Sequence, residues 1–306
     1  MRFAISIPQF VTDGMFNPAG LRAYLARAEM LGFDSAWTQE QVLGSMPTLG
    51  PIETMTYAAA CTERLRLGCA VFVTPLHSPV HLAKSLSTVD QLTRGRLEVG
   101  VGTGGRGRMF SAFAVDPEKL VTRFVEGLQL MKALWTEPRV TFKGRFWQLD
   151  GAAMEPKPFQ KPAPPIWVGG AHPAALRRAV RHGDGFFGAG SQTTAQFAGQ
   201  VRTVRAELAR RDSAAAPFRI AKRVYLAVDD DPGRARERVT AGLHRLYGFF
   251  GMPDLTPTAV CGPPDACVRG LREVADAGAE LILLNPLADE EEQMERLSAE
   301  VIPRLS

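Results

Sequence analysis

Three glycine clusters and a few acid and imidazole side chains carry the chemistry this sequence could do. Gly102-Thr103-Gly104-Gly105-Arg106-Gly107 fits G-x-G-x-x-G, a pattern that lets backbone close on a dinucleotide pyrophosphate when strand and helix flank it correctly. Gly169-Gly170 ends a strand-like run and opens a helix-like one at Ala171. Free N–H groups and the positive end of a helix dipole make an anion site there, and paired glycines leave room for a phosphate. Gly188-Ala189-Gly190-Ser191 also precedes a helix-like run; it reads either as a second partner for that phosphate or as a simple loop. Glu40, in "WTQEQ", is a carboxylate able to give or take a proton, whereas Gln41 exchanges hydrogen bonds but cannot titrate. His77 and His81 are four apart, but Pro79 lies between them and no acidic third ligand is near, so no metal site is expected.

The elements that must position these residues alternate along the whole chain. Strand-like runs fall at 3–8, 34–38, 65–73, 96–101, "PIWVGG", 184–188, 218–228 and 279–285. Each is followed by a helix-like run. The first helix takes Asn17 as N-cap and Pro18 at its first position, and Gly32 ends it. The others cover about 51–62, 79–93, 118–135, 173–181, 192–211, 232–249, 264–277 and 289–302. "LRLGCAVFV" is nearly all apolar, as a strand buried on both faces of a parallel sheet would be. One excursion interrupts the alternation at about 138–165: a hairpin around Lys143-Gly144, then the proline-rich connector "EPKPFQKPAPP". An open doubly wound sheet or a closed (β/α)8 barrel would bury such a pattern; eight units with one excursion favour the α/β TIM barrel with insertions, a single domain over 1–306.

That architecture decides the glycine fingerprint. In a dinucleotide-binding domain it lies on the first strand, opens a helix, and is followed about 20 residues on by an acidic strand end. Here three βα units precede it, "RMFSAFAVDP" does not read as a helix start, and the region about 20 residues on lies inside the helix of 118–135. Gly102 to Gly107 is instead the loop at the C-terminal end of the fourth strand, where barrel active sites are built and where glycine lets backbone approach a flat ligand.

Composition excludes other classes. With 45% hydrophobic and 22% charged residues the chain is an ordinary globular one. Its net charge of +4 is spread over scattered Lys and Arg, which suits an anionic cofactor better than a nucleic acid. Cys61, Cys69, Cys261 and Cys267 form no C-x-x-C pair and read as reduced thiols of a cytoplasmic protein. "MRFAISIPQF" is too short for a signal peptide, and no apolar run reaches the ~20 residues of a membrane helix. Lys84, Asp90, Arg94 and Arg96 are expected to form ion pairs under the barrel, and Arg177, Arg178 and Arg181 to be solvated. Met109, Phe110, Trp135, Trp147 and Phe249 read either as substrate-pocket walls or, by default, as core.

"LGFDSAWTQEQ", "RLRLGCAVFVTPLHSPVHLAKSLSTVDQLTRGRLEVGVGTG", "PIWVGG" with the "GDGFF" that follows, and "AGAELILLNP" resemble the luciferase-like flavin-dependent oxidoreductases, and more narrowly the branch that uses the deazaflavin coenzyme F420. The resemblance covers essentially the whole chain. It implies a (β/α)8 barrel with insertions and a flavin or deazaflavin at the C-terminal mouth. It places the cofactor phosphate at Gly169 and Gly170, while Gly188 and Gly190 stay open between a second contact to it and a simple loop. It implies a cis Ala70–Val71 peptide behind the ring, with a bulky side chain that keeps the ring bent, and puts Thr74 within reach of the ring edge. Gly102, Thr103 and Gly104 line the same mouth; Thr103 stands where some FMN-using relatives carry arginine, which favours F420 over FMN. Glu40 keeps a carboxylate at the position touching the polar edge of the ring, while Gln41 replaces the usual histidine. The implied activity is hydride transfer between deazaflavin C5 and a small electron-poor organic substrate such as an enone or imine. The alternatives are an FMN-dependent monooxygenase and a non-catalytic flavin-binding protein on the same barrel. A small-molecule substrate and no nucleic-acid or membrane partner are expected, with a homodimer among the assemblies the family allows.

Overall fold

The computed structural model describes residues 1–11, 14–105, 108–211, 217–248, 251 and 254–305. The alternation in the sequence becomes a closed parallel barrel. Its strands are β1 (Arg2–Ser6), β2 (Ser35–Thr38), β3 (Arg66–Val73), β4 (Leu97–Gly102), β7 (Ile166–Gly169), β8 (Gly185–Gly188), β9 (Arg219–Val228) and β11 (Leu281–Pro286). β1 lies between β11 and β2, and the order continues through β3, β4, β7 and β8. β8 then pairs with β9, Gly185 opposite Arg219, and β9 with β11, so no edge is left open. The doubly wound alternative is thereby excluded.

The helices α1 (Pro18–Met30), α2 (Pro51–Cys61), α3 (Pro79–Leu92), α4 (Leu120–Thr136), α5 (Pro173–His182), α6 (Thr194–Leu208), α7 (Pro232–Tyr247), α8 (Pro264–Asp276) and α9 (Glu290–Arg296) surround it. Local chemistry sets their starts. The Asn17 side chain accepts the Gly20 N–H and Pro18 takes the first helical position. Thr193 and Gln196 close a reciprocal capping box on α6. Leu21, Tyr24, Leu25 and Ala28 are the buried face of α1, and the main core lies between this ring of helices and the sheet. Inside the cylinder, Trp37, Trp167 and Phe187 pack edge-on with Ala4, Ala221, Leu281 and Leu283. The barrel is thus a filled core below a mouth.

The excursion is the expected hairpin, β5 (Val140–Lys143) against β6 (Gln148–Ala152), with Lys143 opposite Gln148. The proline-rich connector after it is laced to α3. Ser87 and Gln91 donate to the Pro156 and Lys157 carbonyls, and Asp90 accepts from both the Gln160 backbone and its side-chain amide. This corrects the expectation of ion pairs at Lys84, Asp90, Arg94 and Arg96. Among the described residues none of the four enters an ion pair. Lys84 donates to the Glu155 carbonyl, and Arg96 caps the carbonyls of Thr62, Leu65 and Thr93. Buried carbonyls left over by the turns are the stronger claim on these cations.

Two boundaries also differ. The last helix ends at Arg296 and passes into a π-helical turn, Leu297–Val301. A short further strand, β10 (Val260–Gly262), pairs with the end of β9; three residues carry too little pattern to announce it. No helix among the described residues is long and apolar enough to cross a membrane.

Candidate active site

The mouth is formed where β3 breaks its register. Pairing with β4 shifts between Cys69 and Phe72, and the Ala70–Val71 bond within that bulge is cis, as the resemblance implies. The partner strand accommodates the bulge through Gly100. A methyl group there would lie 2.0 Å from the Cys69 carbonyl oxygen and 3.3 Å from the Ala70 Cα. Val71 then leans across the mouth, its methyl groups against the backbone of Gly102 and Gly169. This is an apolar floor on which a planar ring can rest.

Two adjoining clefts of about 240 and 280 Å3 cover that floor. Glu40 and Gln41 line the first, Gly102, Thr103, Gly104, Gly169, Gly170, Gly188 and Gly190 the second, and Ala70 and Val71 both. The structure therefore brings together residues scattered over 150 positions of sequence. Thr74 is the exception. It lies in the short helical turn after β3, lines neither cleft, and its hydroxyl is buried without a hydrogen-bond partner.

Glu40 is held from two sides. Its carboxylate accepts the Val73 N–H at 2.6 Å and lies 2.8 Å from His77 Nε2. The carboxylate side chain is 2% exposed and the imidazole 25%, so the pair is buried at one end and open at the other. The His77 ring stands edge-on to Phe72. A histidine therefore does face the acid, delivered by the turn after β3 rather than by position 41. Gln41 turns away, its amide folded over Gly44.

Arg223, in the middle of β9, closes the opposite wall. Its guanidinium donates to Gln39 Oε1 at 2.7 Å and to the Ala70 carbonyl of the cis bond at 2.9 Å. Gln39 is itself fixed by the buried Gln9, which takes its N–H and donates to its carbonyl. Tyr225, two residues on and so on the same strand face, shares a 2.7 Å hydroxyl–hydroxyl contact with Tyr247 of α7. Burial and this neighbour push the Tyr247 phenol well above its usual range. The sequence marks His77 only as half of a metal pair with His81, and it does not single out Arg223, Tyr225 or Tyr247. The available signal was a cation and a phenol interrupting "FRIAKRVYLAV", a run otherwise apolar enough to be buried.

The anion loops hold a correction. α5 does not open at Ala171. Its N-cap is His172, whose Nδ1 accepts the Ala174 N–H, and Pro173 has no N–H to offer. The donors left open are those of the loop itself: the N–H groups of Gly170 and Ala171 meet no protein acceptor among the described hydrogen bonds. Across the cleft the same is true of Ala189, Gly190 and Ser191. Their loop is held from behind by the buried Lys222, which donates to the Ala189 and Gln192 carbonyls. Burial and the nearby Arg223 push the Lys222 amine down to about 7, against the preference of two carbonyl acceptors for its charged form. Two amide-rich loops facing each other, beside a smooth apolar floor, fit the phosphate and ring of a flavin or deazaflavin.

A further cavity of about 500 Å3 continues past Gln39 and Arg223, between the ends of β1 and β11 and α7. It is large enough for a small organic substrate. Phe110, Trp135 and Trp147, the alternative pocket residues, are packing: Phe110 is buried with Val115 and Leu120, Trp135 donates to the Ala83 carbonyl, and Trp147 lies under the Arg123 guanidinium. The Met109 side chain and Phe249 fall outside the described residues. No cluster of three or more potential metal ligands occurs among the described residues.

The mouth of the closed (β/α)8 barrel thus combines an acid–imidazole pair with an amide-lined cleft. The chain belongs to the family described as luciferase-like monooxygenase, whose model matches residues 1–281. It is 28% identical over 318 residues to an F420-dependent glucose-6-phosphate dehydrogenase of Beutenbergia cavernae, covering 95% of this chain and 94% of that protein. It is 33% identical over 161 residues to the uncharacterized protein y4vJ of Sinorhizobium fredii, a match spanning 52% of this chain and only 46% of that relative. Among solved structures it superposes on monooxygenase RslO1 from Streptomyces bottropensis with a TM-score of 0.87 at 23% identity, covering 100% of both chains. It superposes on an F420-dependent secondary alcohol dehydrogenase in complex with an F420–acetone adduct with a TM-score of 0.85 at 19% identity, covering 100% and 99%. At these identities the structural likeness speaks for the fold.

Proposed function

We propose that the protein is an F420-dependent oxidoreductase acting on a small organic substrate, with residues 1–306 serving as one catalytic barrel. The observation that carries this reading is the Glu40–His77 pair, whose acid lines the ring cleft. A barrel of this family without an imidazole beside its acid would serve equally well as a flavin-binding protein. With His77 in place, the chain has a group able to take or give the proton that accompanies hydride transfer.

When bound, the deazaflavin supplies the hydride at C5; everything else falls to the protein. Val71 and the cis peptide give the ring its seat, and the open N–H groups of 170–171 and 189–191 hold its phosphate. Trp37 and Leu246 in the walls of the further cavity help keep water from the substrate. Glu40, accepting from Val73 and His77, links the imidazole to the cleft that the acid itself lines and holds the charge that forms on it.

Titration of the purified protein with F420 and with FMN, followed by exposure of the reduced complexes to oxygen, tests the reading. Tight F420 binding with a reduced complex stable in air is expected. Preferential FMN binding with rapid oxygen uptake would establish a monooxygenase instead.

A further inference from the structure

Arg223 is more than nine-tenths buried, with 8% of its surface exposed, and it stands at the junction of the two ring clefts and the larger cavity. Its two hydrogen-bond acceptors, Gln39 Oε1 and the Ala70 carbonyl, are both neutral. Among the described residues no carboxylate pairs with it. Glu40 lines the same cleft but is committed to Val73 and His77. Lys222, its neighbour in sequence, turns to the other side of the sheet. A guanidinium in that position is always charged, and burying it against neutral dipoles alone is costly. A carboxylate in place of Gln39 would have satisfied it; an amide leaves its charge uncompensated and aimed into the mouth.

We propose that Arg223 is the anion receptor of the ring site: it stabilises the negative charge that reduction places on the pyrimidine end of a flavin or deazaflavin, so that the cleft binds the reduced ring more tightly than the oxidised one. The inference rests on the functional reading above and adds to it a residue with a direction of effect. Arg223 touches the carbonyl of the Ala70–Val71 seat itself, so its charge lies beside the floor on which the ring rests. Water is largely excluded there, which strengthens the attraction.

The test is anaerobic titration of wild type, Arg223→Lys and Arg223→Met with the oxidised and the reduced form of whichever ring binds, together with the midpoint potential of the bound ring and far-UV circular dichroism. Wild type is expected to bind the reduced form at least about tenfold more tightly. In Arg223→Met that preference is expected to vanish, with oxidised-form affinity changing little and the potential falling toward that of the free ring. Arg223→Lys, which keeps the charge, is expected to retain part of it. Equal weakening of both forms in Arg223→Met, or a wild type that does not prefer the reduced ring, overturns the proposal while leaving the oxidoreductase reading intact. If Arg223→Met does not fold, the wild-type preference and Arg223→Lys decide between the same outcomes. If wild type binds neither ring, the functional reading falls and this inference with it.

Discussion

Glu40 and His77 lie thirty-seven residues apart and meet at 2.8 Å, the carboxylate buried in the cleft wall and the imidazole partly exposed beside it. The acid comes from the loop after β2 and the base from the turn after β3, two adjacent strands of the barrel. Neighbouring strand ends thus assemble a pair that neither segment suggests alone.

If this pair moves the proton, His77→Asn and Glu40→Gln should each lower kcat by about 10²- to 10⁴-fold. Cofactor affinity should change little in His77→Asn, because His77 lines neither ring cleft; Glu40→Gln, at the cleft wall, is expected to lose far more in kcat than in affinity. Steady-state kinetics beside fluorescence titration separates the two quantities. A loss confined to cofactor binding would make the pair a structural clasp for Val73.

Gly100 should be irreplaceable for a reason unrelated to its own backbone angles. An added methyl group meets the Cys69 carbonyl at 2.0 Å, and that carbonyl belongs to the bulged backbone, which cannot swing aside as a side chain would. Gly100→Ala is expected to cost about 1–3 kcal/mol and to weaken ring binding at least tenfold by flattening the seat. Gly105→Ala, where nothing lies within 4 Å of the added atom, is the control and should be neutral. Thermal melts and cofactor titration of both variants check this.

The barrel was legible because its signals are repeated. Eight short apolar strands, each followed by an amphipathic helix, leave few ways to close, and Asn17 and the Lys143-Gly144 turn mark boundaries by local chemistry. The glycines of the mouth were legible because Gly102 and Gly169 must yield to Val71, and residue type records such close approach. His77 was not legible. Beside His81 it was weighed only as half of a metal pair, and nothing in sequence reports that position 77 folds back onto position 40. Arg223 was hidden in the same way: with Lys222 beside it in one strand, nothing in the sequence tells which of the two cations faces the cleft. The range of α5, 173–181, was legible, but its opening at Ala171 was not: His172, an uncommon cap, starts the helix at Pro173.

Below the mouth, Glu98 is the polar tie of the barrel interior. Its carboxylate, 3% exposed, accepts from Trp167 Nε1 at 2.6 Å and pairs with Arg66. Glu98→Ala leaves the buried indole N–H without its acceptor and removes the charge partner of Arg66, which keeps its bonds to Gly95, Leu97 and Gln160; it is expected to destabilise the protein by about 1–3 kcal/mol. Glu98→Gln, which still offers an oxygen to the indole, should lose less. Urea midpoints at constant m-value would show the order; equal losses would mean that the ion pair alone matters.

Lys222 gives the protein a stability that should rise with pH in a range where most proteins are flat. Its amine is pushed down to about 7 in the fold by burial and by Arg223, whereas in the unfolded chain it returns to near its ordinary value of about 10.4. Between those values the unfolded state carries a proton that the native state has released, so unfolding takes up a proton and becomes harder as pH increases. The slope is at most about 1.4 kcal/mol per pH unit, one proton's worth, and the carbonyls of Ala189 and Gln192, which favour the charged amine, hold it below that limit. Lys222→Met removes the titrating group and should unfold with a flatter pH profile than wild type between pH 7 and 9, even though its absolute stability changes as the 189–192 loop loses its clasp. The comparison is of slopes, so other groups titrating in that window cancel. Parallel profiles for the two proteins would show that Lys222 stays charged in the fold, with its two carbonyl bonds outweighing burial.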